Sequence, residues 1–108
     1  MLTEDEATAL VMEQLALVEE KYWRNRPGRE RPAGPESLFA IGRMDQVSFG
    51  WIAYWTFREI VEGRATGPRL GGNGPFLVDR ENGTVHQAGT GRSPQHYVAE
   101  YERARRPG

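Results

Sequence analysis

The sequence contains no cysteine. That excludes a disulfide framework, a thiolate nucleophile and any Cys-based zinc or iron–sulfur site, and it fits a reducing, cytoplasmic setting. Histidine is scarce too: His86 and His96 stand alone, without the close spacing of a zinc pair, so neither a metal nor a histidine base is expected. No apolar run approaches the roughly 20 residues that cross a bilayer. The start, Met1-Leu2-Thr3-Glu4-Asp5-Glu6, is acidic where an export signal is basic, so no membrane partner is expected. There is also no surplus of positive charge. A net charge of -1 and a pI near 6.1 give no global attraction to nucleic acid.

The remaining composition is that of an ordinary folded chain. At 108 residues, 38% hydrophobic and 27% charged, the sequence suits one domain over residues 1–108. Its 13 glycines and 7 prolines point to long loops rather than general disorder.

Thr3 followed by Glu6 is a capping-box pattern and predicts a helix start. Ala7, Val11, Leu15, Val18 and Tyr22 then recur at steps of three and four, with Leu10 and Leu17 widening the stripe, while Glu13, Glu19 and Glu20 fall outside it and are expected in solvent. Residues 25–36 hold Pro27, Gly28, Pro32, Gly34 and Pro35 and read as a mobile, arginine-containing loop whose charges could suit phosphate or an acidic partner but more often mean only solubility.

Leu38 to Ile41, a polar turn at Arg43 to Gln46, and Val47 to Phe57 read as a β-hairpin. Phe49, Trp51, Ala53, Trp55 and Phe57 should share one face, with Ile52 and Tyr54 on the other. Both faces are apolar. That fits either a central strand covered twice or a strand keeping part of one face for a partner, for which Trp51, Ile52, Tyr54 and Trp55 are the candidates.

After an ambiguous Glu59 to Leu70, at most a helical turn and then loop, Phe76-Leu77-Val78 and Thr84 to Gln87 form a second hairpin. Asn82-Gly83 suits its turn, with Gly83 at positive φ. Ser93-Pro94 opens a closing helix that packs Tyr97, Val98 and Tyr101 inward and runs to about Ala104. The expected fold is α+β in the order α-β-β-β-β-α, an antiparallel sheet flanked by two helices.

Patterns that would carry chemistry are weak. Gly71 to Gly74 lacks the Lys-Ser/Thr pair of a phosphate loop and precedes a strand. Asp79 to Gly83 lacks the length and closing glutamate of a calcium loop. No serine sits in a nucleophile elbow, and the carboxylate pairs Glu19/Glu20 and Glu100/Glu102 read as solvated helix faces. No catalytic residue and no cofactor is expected.

The step Gly72-Asn73-Gly74-Pro75 into a strand, the turn from Asp79 to Gly83, and Tyr97 with Tyr101 on the last helix resemble the YrhB and immunity-protein-35 family of small bacterial proteins. The resemblance runs from Phe49 to Glu102. It implies a non-enzymatic role, with a cognate toxin protein as partner in polymorphic toxin systems; the YrhB branch implies a heat-stable chaperone or adaptor instead. The residues that carry it have structural causes: glycines for unusual backbone angles, Pro75 at a strand start, and tyrosines one helical turn apart. Exposed strand edges leave both monomer and homodimer open.

Overall fold

The computed structural model describes residues 1–28, 37–64 and 74–105. The order is α1 (Glu4–Arg24), β1 (Phe39–Val47), β2 (Gly50–Phe57), a short α2 (Arg58–Val61), β3 (Phe76–Asp79), β4 (Val85–Gln87) and α3 (Pro94–Arg105). The strands form one antiparallel meander in the order β1-β2-β3-β4. With α1 and α3 on its opposite faces, this is the expected α+β fold.

α1 begins where the capping box sets it. The Thr3 hydroxyl accepts from the Glu6 amide at 3.2 Å, and the Glu6 carboxylate accepts from the Thr3 amide at 2.9 Å. The Thr3 amide and, second to it, the Thr3 hydroxyl hold the Glu6 carboxyl below its ordinary pKa. Ala7, Val11 and Leu15 are buried as their spacing requires. Two expectations fail further along. Leu17 is 57% exposed, because it lies two residues past Leu15 and so on the far side of the helix. Glu19, one turn beyond Leu15 on the same line, is buried rather than solvated. Its carboxylate accepts from the Leu38 amide at 2.9 Å and from the Trp23 indole at 3.1 Å, so it ties the helix to the entry of β1.

The first hairpin turns later than its polarity suggests. Arg43 to Gln46 lie within β1, and the turn is Ser48-Phe49, with Val47 paired to Gly50. β1 lies at the sheet edge, where outward polar side chains are at home; Arg43 and Asp45 pair there at 3.0 Å, next to the register shift at Gly42. Because Phe49 belongs to the turn, it leaves the face of Trp51 and joins the opposite one.

β2 runs between β1 and β3, and its alternation divides the core. Trp51, Ala53 and Trp55 join Phe39, Phe76, Val78 and the α1 stripe on the inner face. Ile52 and Tyr54 join Phe49 and Leu77 on the outer face, where Tyr97, Val98 and Tyr101 of α3 cover them. Both faces of β2 are thus covered. α3 starts as expected at Ser93, whose hydroxyl accepts from the His96 amide at 3.2 Å, and extends to Arg105.

In the second hairpin Gly83 has φ 72°, a left-handed conformation that disfavours other residues. Its amide donates to the Asp79 carbonyl at 2.9 Å. Gly74 is glycine for another reason: a Cβ there would collide with the Ala88 carbonyl. The freed approach lets the Gly74 carbonyl accept from the Trp55 indole at 2.8 Å and from the side-chain amide of Gln87 at 3.2 Å. Pro75, with no N–H to offer, contributes its carbonyl to the Ala88 amide at 2.8 Å. Gly72 and Asn73, the rest of that motif, lie outside the described residues, as do positions 29–36 of the arginine-containing loop.

Candidate protein-binding site

The four residues marked for partner contact are all buried: Trp51 at 7%, Ile52 at 3%, Tyr54 at 8% and Trp55 at 6% exposure. The structure does not gather them into one patch. Trp51 lies beneath the Arg80 guanidinium, 5.2 Å from its ring centre. Ile52 and Tyr54 line a groove of about 260 Å³ between β1, β2 and α3, bordered by Asp45 and Glu102. Trp55 lines a larger groove, about 380 Å³, on the inner face at the C-terminal end of α1.

The larger groove has an aromatic lining. Tyr22 presents edge-to-face geometry to Phe39 at 5.7 Å and to Phe57 at 6.2 Å, and Phe39 does the same to Trp55 at 5.1 Å. Trp55 continues the array to Phe76 at 6.1 Å. Such contacts add to area burial and fix ring orientation. At the border, the exposed Lys21 and Arg26 supply positive charge. Arg26 is positioned by Tyr22 twice over, with its guanidinium 3.6 Å from the ring centre and one N–H donated to the Tyr22 carbonyl at 3.1 Å. A rigid aromatic floor with a held arginine is the composition that dominates protein–protein binding energy. Beyond Trp55 the groove is not legible in the sequence, because Tyr22 reads as a core-stripe residue and Arg26 as loop charge.

The motif residues Asp79, Gly83, Tyr97 and Tyr101 belong to a different construction on the outer face. Asp79 is fully buried. One carboxylate oxygen accepts from the amides of Glu81 at 2.9 Å and Asn82 at 3.4 Å, which shapes the turn. The other accepts from the Tyr101 hydroxyl at 2.9 Å and lies 2.7 Å from Nε of Arg105. Arg105 reaches on to Glu81 at 2.7 Å. Burial pushes the Asp79 carboxyl upward. The Glu81 amide, the Tyr101 hydroxyl, the Asn82 amide and the Arg105 charge together outweigh it and hold Asp79 below the usual carboxylate range. Burial and the Asp79 carboxylate raise the Tyr101 hydroxyl, so it remains a donor. The cluster is satisfied internally and fastens α3 to the β3–β4 turn.

Elsewhere, His86 is exposed on β4, and His96 pairs with Glu100 at 2.8 Å on α3. Among the described residues no group of three or more His, Asp or Glu side chains is placed to hold a metal ion. No described helix is long and apolar enough to cross a membrane.

No family model matches the chain, and no solved structure does. A curated relative does match: YrhB of Escherichia coli (strain K12), itself uncharacterised, is 36% identical over 68 residues, which cover 63% of this chain and 69% of YrhB. With that identity over more than two thirds of the relative's length, the chain belongs to the YrhB family.

Proposed function

We propose that this protein is an immunity protein, one that binds and neutralises a cognate bacterial toxin by protein–protein contact and without catalysis. The observation that carries the proposal is the groove of Tyr22, Phe39, Trp55 and Phe57 bordered by Lys21 and Arg26, whose composition is that of an interface hot spot. The immunity-protein-35 resemblance of Gly72 to Pro75, Asp79 to Gly83 and Tyr97 with Tyr101 supports the same reading. The test is co-expression with the product of the adjacent gene. Rescue of growth and a co-purifying complex are expected; a toxic neighbour that is neither bound nor neutralised refutes the proposal.

A second reading is a YrhB-like chaperone or adaptor, favoured by one observation. α3 has no buried residue, yet it covers Phe49, Ile52, Tyr54 and Leu77, an apolar surface that its displacement on heating would offer to unfolded clients. Suppression of aggregation of several unrelated heated enzymes would support it over immunity.

A further inference from the structure

Resting on the immunity reading, we infer that the groove at the end of α1 receives an acidic segment of the toxin that carries an apolar anchor. Residues 20–28 contain three basic side chains, Lys21, Arg24 and Arg26, against one acidic one, Glu20. That local surplus of two sits in a chain of net charge -1, so the rest of the sequence carries an excess of three negative charges. Complementary charge steers encounter and sets partner choice, and this end of α1 is where the chain favours anions. A guanidinium has five N–H donors, and the Tyr22 carbonyl takes one from Arg26, which leaves a pre-oriented fork for a carboxylate. The 380 Å³ beside it is lined by Tyr22, Phe39, Trp55 and Phe57 and suits an apolar side chain.

The second groove does not compete for the same partner, because its lining carries Asp45 and Glu102 and no basic side chain. Nucleic acid is also anionic, but single strands need ring faces to stack on. Here Phe39 and Trp55 are only 5% and 6% exposed and are engaged with one another and with Phe57 and Phe76.

The experiment is an NMR titration of the full chain with the capped peptide Glu-Asp-Trp-Leu-Glu-Asp and its neutral counterpart Gln-Asn-Trp-Leu-Gln-Asn. The acidic peptide should shift signals of Tyr22, Phe39, Trp55 and Phe57. The neutral peptide, or the Lys21→Glu/Arg26→Glu variant, should bind on the order of tenfold more weakly. Both substituted side chains are exposed, and a thermal melt confirms that the variant folds. Equal binding of the two peptides, or shifts confined to other residues, overturns the inference. So does tighter binding of a short oligothymidylate at the same residues, or peptide binding that appears only when positions 29–36 are replaced by a Gly-Ser linker, which would make the chain's own segment the occupant. The product of the adjacent gene separates the two readings. If wild type and the charge-reversed variant bind it equally, the groove assignment fails and immunity stands. If it is not bound while the acidic peptide fills the groove, immunity fails and the acidic-segment chemistry of the groove stands.

Discussion

The two faces of the sheet are held by different chemistry. On the inner face α1 buries Ala7, Val11 and Leu15 against Trp51, Ala53 and Trp55, and the contact is mainly apolar, with Glu19 its buried charge and a weak bond from the Thr8 hydroxyl to the Met44 sulfur at 3.6 Å. On the outer face α3 buries no residue, and its half-buried Tyr97, Val98 and Tyr101 are supplemented by a carboxylate, a hydroxyl and a guanidinium around Asp79. Apolar burial is non-directional and scales with area, whereas a buried polar cluster is strong only while every member is present. The inner face should therefore tolerate local change by graded loss, and the outer face should fail at single atoms.

The largest expected effect tests the polar side. Asp79→Ala removes a carboxylate that binds four residues at once and leaves the Tyr101 hydroxyl without its partner, so it should cost about 4 kcal/mol, as losing several hydrogen bonds to one buried charge does. Hydrogen exchange should rise first across α3. Uniform loosening of α1 and α3 together would erase the contrast between the faces. The same residue gives a pH signature. Its carboxyl has a lower pKa folded than unfolded, so the native state binds fewer protons. The stability it contributes is complete above the unfolded value near pH 4 and is lost as pH falls through the lower, folded value. Acid denaturation followed by circular dichroism should show a shallower acid limb in Asp79→Asn than in wild type.

Leu15→Ala probes the apolar side. At 1% exposure in the middle of α1, this truncation should cost about 3 kcal/mol in urea unfolding, through lost transfer energy and a residual cavity. Here exchange should rise throughout the chain, since α1 covers the shared core. Protection retained in β2 and β3 would mean that the sheet does not depend on α1.

How far the sequence disclosed this arrangement follows from the range of each interaction. The caps at Thr3–Glu6 and Ser93–His96 and the Gly83 turn act within three or four residues, and local chemistry displays them. The covering of both faces of β2 was legible as one of two possibilities in its alternating aromatics. The position of the first turn was not, because polar residues on an edge strand mimic a loop, and Phe49 in the true turn is buried by Tyr101 at 4.4 Å between ring centres. The burial of Glu19 and the distant partners of Asp79 were hidden for a shared reason. A charged residue reads as solvated until the fold supplies its donors, and Leu38, Tyr101 and Arg105 lie 19, 22 and 26 positions away in the chain. Of the candidate groove, only Trp55 was singled out beforehand, because the groove is assembled by the crossing of α1 over β1 and β2.

A smaller effect sharpens the comparison on the outer face. Tyr101→Phe keeps the ring against Phe49 and removes only the hydroxyl bond to Asp79. It should cost about 1.5 kcal/mol, the lower end for a hydrogen bond to a charged group, because Asp79 keeps its other partners. In the Asp79→Ala background the same change should cost nearly nothing, and a double-mutant cycle from denaturation midpoints reads the difference. Additive losses would show that the hydroxyl stabilises α3 by some route other than Asp79.

The smallest expected effect concerns the charged anchor of α1 on the inner face. Among the described residues the Glu19 carboxylate accepts from the Leu38 amide and the Trp23 indole, through different oxygens. Glutamine offers one oxygen and one NH₂, so Glu19→Gln keeps an acceptor for one donor and sets an N–H against the other. The loss should be about 1 kcal/mol, measured by urea denaturation. The retained oxygen should go to the Leu38 amide, which has no freedom to turn away, and the Trp23 indole should be the donor left facing an N–H. Trp23→Phe in the Glu19→Gln background then removes that mismatch and should cost less than Trp23→Phe in the wild type. If the two substitutions are additive instead, the Trp23 bond contributes nothing to fixing α1, and the inner face is apolar in its energetics as well as in its composition.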